Sequence, residues 1–172
     1  MDVDPRLLNR HVEGAARAHQ SLLETIGDVT DDDVRAPSLL VGWSRGHVLT
    51  HLARNADSHV HLLECARRGE VGEQYSGGYR GRVAAIEAGS SRSAEELVAD
   101  VRRSIYGLEA AWSQADHDTW RGSGVNSKGD PIPMGDIVFL RWREVEVHHA
   151  DLGLGFTPSD WSSDYVRYEL DR

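Results

Sequence analysis

Four long segments of this chain carry apolar residues at alternating spacings of three and four, the period of an α-helix with one buried side. In the first, Leu8, Val12, Ala15, His19, Leu22 and Ile26 form such a stripe, and Pro5 suits a first helical turn. A helix is expected from about Pro5 to Ile26. The segment "GDVTDDDVRAPS" then breaks the pattern with Gly, Asp and Pro. A second helix is expected from about Ser44 to Arg68, with Leu49, Leu52, Ala56, Leu63 and Ala66 for packing. Arg67 and Arg68 suit its negative end, and Gly69 suits its C-cap. A third opens on the capping box Ser93-Ala94-Glu95-Glu96 and runs to about Gln114 along Leu97, Val101, Ile105, Leu108 and Trp112.

The fourth segment is ambiguous at first sight. "EVEVH" alternates like a strand, but over only five residues. Extended to "GDIVFLRWREVEVHHADLG", it shows two adjacent helical stripes. One is Val138, Trp142, Val145, His149 and Leu152; the other is Ile137, Arg141, Glu144, His148 and Asp151. A helix accounts for the whole segment, with Asp136 as N-cap and Gly153 just past the end. The fold class that follows is all-α, a four-helix bundle. Residues 71–92 form a long, Gly-rich connection between helices two and three, with at most a short helix around Val83 to Glu87. "WRGSGVNSKGDPIPMGD" suits a small hairpin, and Ser159 to Leu170 a short C-terminal helix.

Composition excludes several classes. A net charge of −9 argues against a nucleic-acid partner. No apolar run reaches the ~18 residues of a membrane span, and the N-terminus lacks the apolar core of a signal peptide. Cys65 is the single cysteine, so no intrachain disulfide forms and a reducing cytoplasm fits. Its expected role is that of a small buried hydrophobe without an activating partner.

Nine histidines remain to be placed. His11, His59, His61 and His117 are expected on partly exposed faces, and His19 as a hydrogen-bonded core residue. His47 and His51 form H-x-x-x-H. Glu144 and His148 repeat that spacing on another helix, about 40° apart around the axis and roughly 6 Å along it. Such pairs suit ligands of one divalent metal. Zinc is the best match to imidazole and carboxylate donors, and three ligands with an open fourth position define a catalytic site. His149 points about 100° away from His148 and is not expected to be a ligand.

Together, "SLLVGWSRGHVLTHLARNAD" and "RWREVEVHHADLG" resemble the mycothiol-dependent maleylpyruvate isomerase family, a branch of the DinB-like helical bundles. The resemblance runs from about Arg6 to Gly155. It implies a DinB-like bundle over residues 1–155 and a C-terminal extension, the start of a second domain, over 156–172. It implies the metal ligands His51, Glu144 and His148, with His47 nearby in a catalytic supporting role. It also implies substrate or cosubstrate contacts from Arg82, Tyr75 and Asn55, with Arg82 gripping a carboxylate. Trp43 and Asp151 match recurrent positions, to pack and to cap or orient respectively.

The activity implied is cis–trans isomerisation of maleylpyruvate to fumarylpyruvate, with mycothiol as cosubstrate. A metal-activated thiolate adds, the bond rotates, and the thiolate leaves. Partners would be mycothiol and a small dicarboxylate, for a monomer or homodimer. Family isomerases continue into a smaller α/β domain that contributes to the cleft, whereas this sequence ends at Arg172. Two alternatives therefore stand beside isomerisation: a low-molecular-weight thiol S-transferase, and a non-catalytic metal-holding interaction domain.

Overall fold

A computed structural model describes residues 3–171. Helices α1 (Pro5–Thr25), α3 (Arg45–Arg67), α5 (Ala94–Gln114) and α7 (Ile137–Asp151) are the four long ones. Helix α3 packs most extensively on α5, and α1 on α7, with α3 also meeting α7. Shorter helices decorate this bundle: α2 (Asp31–Arg35), α4 (Gly78–Gly89), α6 (His117–Arg121) and α8 (Ser163–Leu170). Three very short strands, β1 (Gly72–Glu73), β2 (Ser123–Val125) and β3 (Pro131–Pro133), form one small sheet.

The helix starts follow their caps. Asp4 accepts from the Arg6 amide ahead of α1, where Pro5 opens the first turn. Ser93 and Glu96 close the expected capping box on α5. Ser44 caps α3 in the same reciprocal way, with the His47 imidazole standing in for the usual carboxylate. The expected cap at Asp136 is not made. A 3-10 turn, Met134–Asp136, leads straight into α7, so Asp136 already has helical backbone angles and makes no side-chain cap bond to it. Gly69 and Gly153 close α3 and α7 with φ of 73° and 64°, where an L side chain would be strained.

The connection between α3 and α5 holds the expected helix around Val83 to Glu87, but α4 is longer, twelve residues from Gly78 to Gly89. Glycine costs a helix roughly 1 kcal/mol per position, which hid its full extent. Its packing on α3 offsets that cost: Ile86 is buried, and a Cβ on Gly89 would collide with Thr50. The hairpin β2–β3 is present, and β1 joins it in parallel, Gly72 beside Gly124. Residues 156–171 do not stand apart from the bundle. Tyr165 of α8 is buried beside Phe139 and Trp142 of α7.

Every residue of the Val138, Trp142, Val145, His149 and Leu152 stripe is buried, which settles the fourth segment as a helix. Two histidines are misplaced by the sequence reading. His11 and His59 are buried; His59 is only 2% exposed. His61 and His117 are exposed, and His19 is the expected core histidine, with Nδ1 2.8 Å from Glu109.

Burial pushes His59 down to about 3 and His19 down to about 4, each from 6.5. Above pH 6.5 both are neutral in the folded and the unfolded chain. Below it the unfolded chain takes up protons that the folded chain refuses, so stability falls as pH falls. The loss is about 1.4 kcal/mol per pH unit for each imidazole, until the folded values are reached. Urea unfolding at about pH 7.5 and about pH 5 checks this, with a loss of roughly 2 kcal/mol per imidazole expected. An unchanged midpoint would count against neutral burial of these rings.

Candidate metal centre

His51 lies nearly two turns into α3, buried against α7. Glu144 and His148 lie on consecutive turns of α7. One ligand atom from each falls within 4.8 Å of the other two. His51 Nε2 is 2.7 Å from Glu144 Oε2, and His148 Nε2 is 3.5 Å from the same oxygen. The His51 and His148 rings meet edge to face at 4.7 Å. Glu144 keeps 31% of its side chain exposed, so the cluster opens to the surface on one side.

The electrostatics favour a cation. Burial raises the Glu144 carboxyl, but hydrogen bonds and charge from His148 and His51 outweigh it and hold it well below its usual range. Burial lowers His51, and Glu144 only partly compensates. Burial also lowers His148, but Glu144 and Asp151 together raise it. Asp151 Oδ2 sits 2.8 Å from His148 Nδ1. That contact keeps a proton on Nδ1 and presents the Nε2 lone pair to the cluster, the usual way a carboxylate orients a histidine ligand. Two imidazoles and one carboxylate at these separations fit a divalent metal with an open position.

The other expected site residues fall around this centre unevenly. Arg82, on α4, places a guanidinium nitrogen 3.3 Å from His51 Nδ1. Tyr75 lies on the turn leading into α4, with Ser58, Arg82 and Glu144 in electrostatic reach of its hydroxyl, which burial makes a weaker acid. His47 lies outside the three-residue cluster. Its Nδ1 is 2.7 Å from Ser44 Oγ, and its Nε2 is 3.5 Å from Glu87. Trp43 joins the two histidines, stacking on His47 and meeting His51 edge-on. Asn55 is buried, and its amide oxygen accepts from Arg141 at 2.9 Å. His149 is turned away, with Nε2 2.7 Å from Thr25 Oγ1 and its ring stacked on Phe156.

Two local environments escaped the sequence reading. Cys65 does have basic neighbours: His61 Nε2 at 3.6 Å and Arg68 at 3.4 Å. Arg141 is fully buried behind the cluster. Its place on the inward stripe, three residues before Glu144, was the available signal.

A bundle of these four long helices, with two imidazoles and a carboxylate brought together from α3 and α7, has the DinB-like helical fold. Residues 15–153 match the family described as mycothiol maleylpyruvate isomerase N-terminal domain, and the chain belongs to that family. The crystal structure of a mycothiol-dependent maleylpyruvate isomerase superimposes with a TM-score of 0.87 at 27% identity, and a histidine-to-alanine mutant of that enzyme at 0.87 and 26%. Each comparison covers 93% of this chain and 66% of the other, so the chain spans just under two thirds of those proteins. No curated protein matches the chain in sequence.

Proposed function

We propose that this chain isomerises maleylpyruvate to fumarylpyruvate with mycothiol as cosubstrate. The observation that carries the proposal is the His51–Glu144–His148 cluster, open on one side, in a bundle that superimposes on isomerases of that description. A divalent cation held there, zinc being the best match to the donors, would lower the pKa of a thiol brought to it.

The chain's own groups do the rest. The thiol proton leaves to solvent through the open side of the cluster, while His47, one turn before His51 and sharing Trp43 with it, accepts from the Ser44 amide at Nδ1, directs its Nε2 proton toward Glu87 and so supports the site. The mycothiol sulfur then forms a bond to the cis carbon–carbon double bond. The π electrons move to the conjugated carbonyl oxygen as an enolate. Arg82 holds a substrate carboxylate and screens this charge by a bidentate contact. The former double bond, now single, rotates. The enolate collapses, the carbon–sulfur bond breaks, and the trans alkene leaves with the thiol regenerated. Tyr75 and Asn55 line the inner side.

The test is turnover of maleylpyruvate by the metal-loaded chain. Fumarylpyruvate should form only when mycothiol is present, and mycothiol should be recovered unchanged. Stoichiometric consumption of mycothiol into an adduct would replace this reading with thiol S-transfer. No reaction with either thiol or substrate would favour a non-catalytic domain.

A further inference from the structure

Arg141 is 0% exposed and carries its charge into the bundle with no bond to a carboxylate among the described residues. Its Nε donates to His19 Nε2 at 3.0 Å, and its first terminal nitrogen donates to the Leu52 carbonyl at 2.8 Å and the Asn55 amide oxygen at 2.9 Å. All three acceptors are neutral. The second terminal nitrogen has no hydrogen-bond partner among the described residues. Buried charges are ordinarily paired, because an unpaired one costs several kcal/mol.

Two more buried polar atoms make no close hydrogen bond among the described residues: His59 Nδ1 on α3, and the Tyr75 hydroxyl on the turn before α4, with Ser58 and Arg82 nearby. Arg141 and His59 feel each other's charge, as do Arg141 and Tyr75, and Glu144 is in reach of all three. Of the six buried side-chain polar atoms without a hydrogen-bond partner among the described residues, these three fall around one buried arginine. They sit on three different elements. Two of them are N–H or O–H donors, and the third, a neutral imidazole, can present an N–H.

We propose that Arg141, with Tyr75 and His59, is an inner receptor for a carboxylate of the substrate, on the far side of the His51–Glu144–His148 cluster from solvent. This deepens the isomerase reading and rests on it for the choice of ligand. A dicarboxylate then has two arginines, Arg82 at the mouth and Arg141 inside. Entry requires the Tyr75–Arg82 segment to swing. That segment contains consecutive glycines, Gly77 and Gly78, at φ of 78° and 60°, where the backbone can re-orient at little steric cost. Side-chain bonds join it to α3 through Gln74 to Ser58 and Arg82 to His51.

The test measures binding of maleate, a small dicarboxylate, and crotonate, a monocarboxylate of the same carbon count and the opposite double-bond geometry, to the zinc-loaded chain by calorimetry without mycothiol. The wild-type chain should prefer maleate. Arg141→Lys should lose that preference by roughly tenfold or more, since hydrogen bonds to a charged group are worth that much. A purely structural arginine would lower the melting temperature and leave the maleate-to-crotonate ratio alone. Should Arg141→Lys fail to fold, Tyr75→Phe decides. It removes a hydroxyl that makes no close hydrogen bond among the described residues, only longer contacts to Ser58 and Arg82, so its melting temperature should fall little while maleate binds several-fold more weakly. A wild-type chain without preference for maleate, or unchanged ratios in the variants that fold, overturns the receptor. Because no turnover is involved, a chain that fails to isomerise can still show this dependence. A chain that isomerises with unchanged ratios overturns the receptor alone.

Discussion

His51→Ala or Glu144→Ala should drop bound zinc from about one ion per chain to a trace after dialysis, as read by elemental analysis. Either change leaves two protein donors, and a two-donor site on a folded bundle has little to hold a dissociating metal. Affinity should fall well beyond the roughly 10–100-fold typical of losing an orienting partner. Asp151→Asn gives that smaller loss, because it removes only the carboxylate that fixes the His148 tautomer. His149→Ala, bonded to Thr25 on another side of α7, should leave the stoichiometry intact. Full zinc in both His51→Ala and Glu144→Ala would overturn the ligand set.

The second large effect concerns the core. Trp142 is 1% exposed, packs among Phe139 and Tyr165, and donates from Nε1 to Glu146 at 3.0 Å. Trp142→Ala should cost about 3–5 kcal/mol. That corresponds to a melting temperature lower by roughly 6–20 °C for a domain of this size. The opposite change should act in the same direction. A Cβ on Gly14 would fall 2.3 Å from the indole ring, so Gly14→Ala must displace it. Overpacking of that kind costs about 1–3 kcal/mol, against roughly 1 kcal/mol gained in helix propensity. Thermal denaturation of both variants checks the sign. A Gly14→Ala variant more stable than wild type would show that the ring has room to move.

Much of this was legible in residue spacing. The α1, α5 and α7 stripes each have one buried side, and the Ser93 capping box marked its helix start to the residue. The repeated four-residue spacing of His47 with His51 and of Glu144 with His148 pointed to a metal. It did not separate His47 from His51; only the resemblance did. Helix α3 explains the misplaced His59. It is surrounded by α2, α4, α5, α6 and α7, so it has little solvent face for a stripe to contrast with. A rule that assigns polar residues to the outside fails on a helix with almost no outside. The full length of α4 was hidden for another reason. Its glycines serve close approach to α3 and to its own turn, and local propensity carries no record of that.

The parallel pairing of Gly72 and Glu73 with Gly124 and Val125 bears on the order in which the molecule assembles. It closes a loop of about fifty residues that holds all of α4 and α5, and the entropy of that closure is repaid by only two short strands. The bundle helices must dock before those strands can meet. Tyr75 and Arg82 directly follow β1, so the rim of the site is among the last parts of the chain to settle. The His51–Glu144–His148 centre, set by α3 and α7 alone, is finished before its rim arrives.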